Sequence, residues 1–174
     1  MTDAIKEAAR LIGRQPFRET AGQLNQFGAG EIPSVTEQLI IFGEQLQKRG
    51  MFFNVDRMAW SLKGKADCWA DLEGENGNVR LRAMWVPETK RDHGYSKMIL
   101  RALTTAADDT LTTLLLVVRP FDMVGKELVP DKVAEGGLTE AELIELYSGF
   151  GWQLYDDPTT TRPAMKRVPN ANQN

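Results

Sequence analysis

An unbroken strand, helix, strand pattern between residues 79 and 118 sets the strongest limit on what this chain folds into. Val79 to Val86 reads as a strand. After Pro87 a polar stretch, Glu88 to Ser96, leads into an amphipathic helix carrying Ile99, Leu100, Leu103, Ala106 and Ala107. The run Thr112-Thr113-Leu114-Leu115-Leu116-Val117-Val118 then reads as a strand covered on both faces. Two strands joined by a helix of this length form a βαβ unit with a right-handed crossover. The chain is therefore of the α/β class, mixed α+β, and its sheet contains a parallel pair.

The other elements surround that unit. Ser34-Val35-Thr36-Glu37 has the pattern of a capping box, in which a hydroxyl and a carboxylate satisfy the first amides of a helix. The helix is expected to run to about Arg49, burying Val35, Leu39, Ile40, Phe42 and Leu46, with Gly50 at its end. Met51 to Val55 and Lys65 to Leu72 read as strands. Asn76-Gly77 marks a hairpin, because both residues tolerate positive φ. Residues 120–138 read as a long loop. A second capping box, Thr139 to Glu142, opens a helix that carries Leu143, Ile144, Leu146 and Tyr147 and stops near Gly149 to Gly151. Gln153 to Tyr155 and Ala164 to Val168 complete a last hairpin. Ahead of these elements, residues 2–13 read as a short amphipathic helix and 14–33 as an irregular connection. The expected organisation is an extension at 1–33, one domain at 34–168 and a flexible tail at 169–174.

Bulk properties remove several function classes. A chain of 174 residues is long enough for one domain with a sizeable core. Its net charge of -3 offers no overall basic excess, so no nucleic acid is expected as a partner. A single cysteine, Cys68, excludes an intrachain disulfide, and with a single histidine, His93, no metal centre is expected. Early charges at Asp3, Lys6, Glu7 and Arg10 interrupt any signal-peptide core, and the longest aliphatic run, Leu114 to Val118, is far short of a membrane span. A reducing, cytoplasmic compartment and no membrane partner are the expectation.

The chemistry concentrates between Val86 and Arg101, which contains Arg91-x-x-Gly94-x-Ser96 at the junction of strand and helix. A helix N-terminus presents unpaired N–H groups and a partial positive charge. Gly94 lets the backbone approach a ligand, Ser96 is small and able to cap, and Lys90, Arg91, His93 and Lys97 add positive potential. Together these make an anion site suited to a pyrophosphate. A solvated loop capped by Ser96 is the plainer reading of so short a motif. The segment is neither a P-loop nor a dinucleotide fingerprint.

This segment resembles the acyl-coenzyme A loop of the GNAT superfamily of N-acetyltransferases, in which a strand ending in valine is followed by Arg/Gln-x-x-Gly-x-Gly/Ala opening a helix. Val86, Arg91 and Gly94 fall at the expected spacing; Ser96 replaces the last Gly/Ala, and Pro87 stands one place earlier than the proline of many members. A second stretch, Leu143-Ile-Glu-Leu-Tyr147-Ser-Gly-Phe-Gly151-Trp152, is similar to the family's C-terminal lYxxxGF signature, with Trp152 in the place of the usual Phe. The resemblance covers about residues 60–168.

The resemblance implies a GNAT-like α/β/α three-layer fold whose central mixed, mostly antiparallel, twisted sheet is splayed at the acyl-CoA site. Acetyl-CoA would be the co-substrate, with no metal. The backbone of Met84, Trp85 and Val86 would pair with the pantetheine amides. The loop Arg91, Asp92, His93, Gly94, Tyr95, Ser96 with Lys97 would hold the pyrophosphate. Tyr147 would protonate the leaving thiolate; its alternative reading is an aromatic packed on the core. The acceptor would be a primary amine, on a small molecule or a protein lysine, and a homodimer is compatible with the family. The Leu143 to Tyr147 helix followed by Asp156 and Asp157 is also similar to small phage-encoded acetyltransferases, which raises a protein lysine as target. No general base stands out: Asp56, Asp71, Glu73 and Asp122 are the candidates, each with a solvated surface acid as its plainer reading. His93 reads as an anion contact or an exposed side chain, and Cys68 as a packed strand cysteine.

Two other readings stay open at this level. One is a catalytically inactive binding or assembly protein on the same fold, with residues 1–33 as a docking arm. The other is an unrelated α/β protein whose loop matches by accident. A sheet without a splay beside Val86 would select the last.

Overall fold

The computed structural model describes residues 35–125 and 127–170. The expected N-terminal helix, the connection after it, the Ser34 cap and the last four residues of the tail lie outside the described residues. Helix α1 (Val35–Lys48) leads into β1 (Met51–Asn54), β2 (Ala59–Leu62), β3 (Lys65–Glu75) and β4 (Asn78–Trp85). Helix α2 (Tyr95–Thr110) and β5 (Leu114–Val117) follow, then β6 (Phe121–Val124) and β7 (Glu127–Pro130). Helix α3 (Glu140–Ser148), β8 (Gln153–Tyr155) and β9 (Ala164–Arg167) close the chain.

Seven strands form one sheet in the order β1-β2-β3-β4-β5-β9-β8. Every neighbouring pair is antiparallel except β4 and β5, which the α2 crossover makes parallel. The sheet is thus mixed and mostly antiparallel, as expected. Asn76 (φ 49) and Gly77 (φ 80) turn the β3–β4 hairpin with both central residues at positive φ. Thr139 and Glu142 form the expected reciprocal capping box at the start of α3.

Two elements differ from the sequence reading. Strand β2 falls where only a connection was expected. All four of its residues are buried between β1 and β3, so no alternation of apolar and polar side chains marks it. The long loop expected at 120–138 contains the β6–β7 ribbon, which among the described residues pairs only with itself. Its side chains are half-buried or exposed and it ends in Pro130, all of which mimics loop composition.

Alternation along the sheet divides the apolar residues. Cys68, Ala70 and Leu72 of β3 and Val79 and Leu81 of β4 join Leu39, Phe42 and Leu46 of α1 and Ile99, Leu100 and Leu103 of α2 in the main core. Trp69 and Ala83, on the opposite face, form a small second cluster with Ala59 that Trp85, Phe121 and Met123 pack against. Helices thus cover one face, and residues of the ribbon reach part of the other.

A buried guanidinium ties the C-terminal strand to α2. Arg167 donates to both carboxylate oxygens of Asp108 (2.8 and 2.7 Å), to Thr104 O (3.3 Å) and to Phe150 O (3.1 Å). Burial works against the Asp108 charge, but the Arg167 and Asn170 hydrogen bonds outweigh it and hold the carboxyl below its usual range. Truncating one member of such a pair leaves the other charge uncompensated, at a cost of about 3 kcal/mol. Arg167→Ala is expected to lose about that much in urea denaturation. With Asp108 held low in the folded state, its contribution is complete well above the ordinary aspartate pKa near ~4 and is lost as pH falls through the folded value. The acid-induced loss of stability should therefore be shallower in Arg167→Ala than in the wild type.

Candidate functional site

The site begins with a defect in β4. In the β3–β4 pairing, Asp71 faces Ala83 but Leu72 faces Leu81, so Arg82 is an extra residue with no partner in register. The bulge flips the strand. Ahead of it Val79 and Leu81 point into the main core; after it Met84 and Val86 do, while Ala83 and Trp85 turn to the opposite face. Parallel pairing with β5 ends at the same place, at Leu81 against Leu116. From there β4 stays with β3 as far as Trp69 against Trp85, and β5 stays with β9 as far as Val117 against Ala164. Two strands that separate in this way leave a wedge, and a cavity of about 190 Å³ lies there against Met84, Trp85 and Val86.

Helix α2 points its N-terminus at that wedge. Gly94 is the cap residue, with φ 77 and ψ 9, a left-handed conformation that a side chain disfavours. Among the described residues no side chain caps the end. Ser96, expected as a capping residue, is instead the second residue of the helix, because the chain turns at a glycine that has no hydroxyl to offer. The first helical bond runs from Met98 N–H to Gly94 O (3.0 Å), so the amides ahead of it stay open. They carry the positive end of the helix dipole at the edge of the cavity, where Gly94, Tyr95 and Ser96 are lining residues.

Arg91 is set across the wedge. Its Nε donates to Val86 O (3.3 Å), and its Cζ lies 5.3 Å from the centre of the Trp85 ring. Its Nη1 is buried and finds no acceptor among the described residues. A buried guanidinium nitrogen without a partner is costly, and an anionic or carbonyl oxygen entering the cavity would satisfy it.

Tyr147 reaches the same cavity from α3. It is 8% exposed, its ring is 5.9 Å from that of Trp152, and burial pushes its phenol up to about 12. The group is a proton donor at any pH near neutrality.

The structure therefore brings Met84, Trp85, Val86, Arg91, Asp92, Gly94, Tyr95, Ser96 and Tyr147 to one cavity. His93 and Lys97 are not among its lining residues. His93 is exposed, with Nδ1 2.8 Å from Arg91 O and its ring stacked 6.1 Å from Tyr95. Lys90 lines the cavity, but its Nζ is paired with Asp67 at 2.5 and 2.6 Å, which offsets the positive potential expected of it. None of the four candidate bases lines the wedge. Asp122 is paired with Lys132 (2.8 Å), which holds its carboxyl low. Asp71 and Glu73 face Arg82 at 3.8 Å, and burial raises the Asp71 carboxyl. The sequence reading missed the far wall, built by Arg119, Pro120 and Phe121 with Gly136 and Leu138. Only the position of that segment, directly after the parallel strand, signals it.

No family model matches the chain, and no curated protein is similar to it in sequence. Solved structures similar to it in the course of the chain include Ard1 from Thermoplasma volcanium, at 13% identity and a TM-score of 0.45 over 77% of this chain and 80% of that one. A second is the PaiA N-acetyltransferase from Thermoplasma acidophilum in complex with coenzyme A, at 11% identity and a TM-score of 0.41 over 63% of this chain and 58% of that one. A third is a Pyrococcus horikoshii protein, at 12% identity and a TM-score of 0.43 over 78% of this chain and 76% of that one.

Proposed function

We propose that this chain is an N-acyltransferase that moves an acyl group, acetyl in the simplest case, from acyl-coenzyme A to a primary amine on a small molecule or a protein lysine. The observation that carries this reading is the convergence of three independent features on one cavity. These are the wedge between β4 and β5, the uncapped N-terminus of α2 and the buried phenol of Tyr147. At about 190 Å³ the space is smaller than the ~300 Å³ typical of a compact ligand site, and it suits a narrow chain threaded between strands. The freed edge of Met84 to Val86 would bond the pantetheine amides, and the α2 amides with Arg91 Nη1 would hold the pyrophosphate.

The chemistry asked of the residues is modest. The acceptor loses a proton to solvent and attacks the thioester carbon as a neutral amine. The carbon–sulfur bond breaks as the carbon–nitrogen bond is completed. Tyr147 gives its proton to the departing sulfur and recovers one from the new amide nitrogen, so protons balance. A phenol raised to about 12 is a weak acid, but the thiolate leaves into the same apolar wedge, and desolvation raises its basicity too.

Tyr147→Phe is expected to lower kcat on the order of 10²-fold while leaving acyl-CoA affinity nearly unchanged, since only the proton donor is removed. Wild-type turnover in that variant would take Tyr147 out of the mechanism.

Titration calorimetry with acetyl-CoA and desulfo-CoA tests the site itself. Both ligands should bind, and Gly94→Glu should weaken both, through strain at a left-handed position and through a like charge facing the pyrophosphate. Binding without thiol release in an amine screen would favour the second reading, a catalytically silent binding protein. The absence of Asp56, Asp71, Glu73 and Asp122 from the wedge is the observation that keeps that reading in view.

A further inference from the structure

A second cavity, about 490 Å³, opens on the outer face of α2, where that helix meets the end of α1 and the β2–β3 turn. Leu62 and Ala102, both buried, form its apolar floor, and Met98, 52% exposed, stands at its rim. It meets the wedge at one residue: Tyr95, the first of α2, lines both spaces.

The charge of this cavity is one-sided. Lys63, Lys65 and Arg101 line it, and among the described residues no Asp or Glu does. None of the three makes an ion pair among the described residues. Lys63 and Arg101 are exposed, and the Lys65 Nζ lies 5.8 Å from the centre of the Tyr95 ring. Asp67, which feels the Lys65 charge, is itself held by Lys90. Arg49 lines the far end, but its charge is already matched by Asp109, and its Nη1 donates to Gln45 O (2.8 Å) and Gln45 Oε1 (3.0 Å). The two helix ends act in opposite senses. The first turn of α2, at Tyr95 and Met98, adds about half a positive charge, and the end of α1, at Arg49 and Gly50, about half a negative one. Three whole cationic charges therefore set the potential. Like charges gathered without an acid repel one another, and a bound anion relieves that repulsion. Such a gathering is not dictated by composition, since the chain as a whole carries a net charge of -3.

We infer that this cavity is a binding site for a phosphate monoester. A monoester dianion brings nearly two negative charges and three acceptor oxygens, which matches two ammonium groups and one guanidinium. A carboxylate, with one charge and two oxygens, leaves a cation unmet. Resting on the acyl-transfer reading above, the monoester is the ribose 3′-phosphate of the coenzyme, one sugar removed from the pyrophosphate at the α2 amides. Arg101 is six residues beyond Tyr95, about 9 Å of helix rise, so both phosphate positions lie along the first two turns of one helix. The nucleoside passes outside the first turn of α2. Nothing has to cross the Tyr95 side chain, and no bond is made or broken here. A free phosphate monoester is the other source of the same chemistry.

Protein labelled with ¹³C at the methionine methyls gives each space its own reporter, since Met84 lines the wedge and Met98 the second cavity. Met84→Leu and Met98→Leu assign the two signals. The probes are coenzyme A, its 3′-dephospho form and inorganic phosphate, at one ionic strength. Coenzyme A should shift both signals and bind about tenfold more tightly than the dephospho form, because three exposed ion pairs each contribute a few-fold. The double variant Lys63→Gln/Arg101→Gln, at two exposed positions, should remove most of that advantage. Equal binding of the two coenzymes, with a Met98 signal that shifts saturably with inorganic phosphate in the wild type and not in the double variant, assigns the site to a separate monoester. A coenzyme A advantage that survives the double variant overturns the phosphate site. So does equal binding with a Met98 signal indifferent to phosphate. In both cases a Met84 response to the coenzymes leaves the acyl-transfer reading standing. A Met84 signal that answers neither coenzyme removes the transfer reading, and the Met98 response to inorganic phosphate then decides the second cavity by itself.

Discussion

The bulge at Arg82 is the constraint on which the site depends. A strand paired on both sides has no free backbone groups and no room beside it. By inserting one residue into β4, the chain exchanges the faces of everything that follows, and the parallel ladder with β5 ends at the last register before the insertion. The separation leaves polar backbone edges open in the interior, which would be unfavourable in an ordinary sheet. Here the rest of the molecule is arranged around them. Arg91 covers one carbonyl, and the α2 N-terminus and the Tyr147 helix border the gap.

The opening persists because both arms of the wedge are secured elsewhere. The β4 arm is held by the length of its pairing with β3 and by the second apolar cluster beneath Trp85. The β5 arm is held by β9, whose Arg167 reaches back to Asp108 on α2 and to the carbonyl at the end of α3. The anchoring contacts lie at the foot of the wedge and along its outer edges, while its interior keeps a guanidinium nitrogen and a helix end that are unpaired among the described residues. Among the described residues no helix is long and apolar enough to cross a membrane.

Much of this was legible in the sequence wherever a local rule applies. Helix α1, the Asn76-Gly77 turn, the βαβ unit and the Thr139 capping box each follow from patterns confined to a few residues. The same holds for the cluster from Met84 to Ser96, whose members come together largely because they are neighbours in the chain. What escaped depends on partners distant in sequence. Strand β2 has no alternation because β1 and β3 flank it, and the ribbon looks like a loop because little covers it. The bulge is visible only in register, and the loss of Lys90 as a free cation depends on Asp67, 23 residues away. Ser96 was misplaced for a local reason: the chain enters the helix through a left-handed turn at Gly94, two residues earlier.

The ribbon carries a consequence of its own. Among the described residues its hydrogen bonds close on themselves and it shares no ladder with the seven-stranded sheet, yet Phe121 lines the wedge and packs with Met123 against the second apolar cluster. Lengthening or shortening this segment changes the wall of the wedge at Phe121 without shifting any register on which the main sheet relies. Changes in the shape of the wedge at this wall are thereby uncoupled from changes in the pairing of the main sheet.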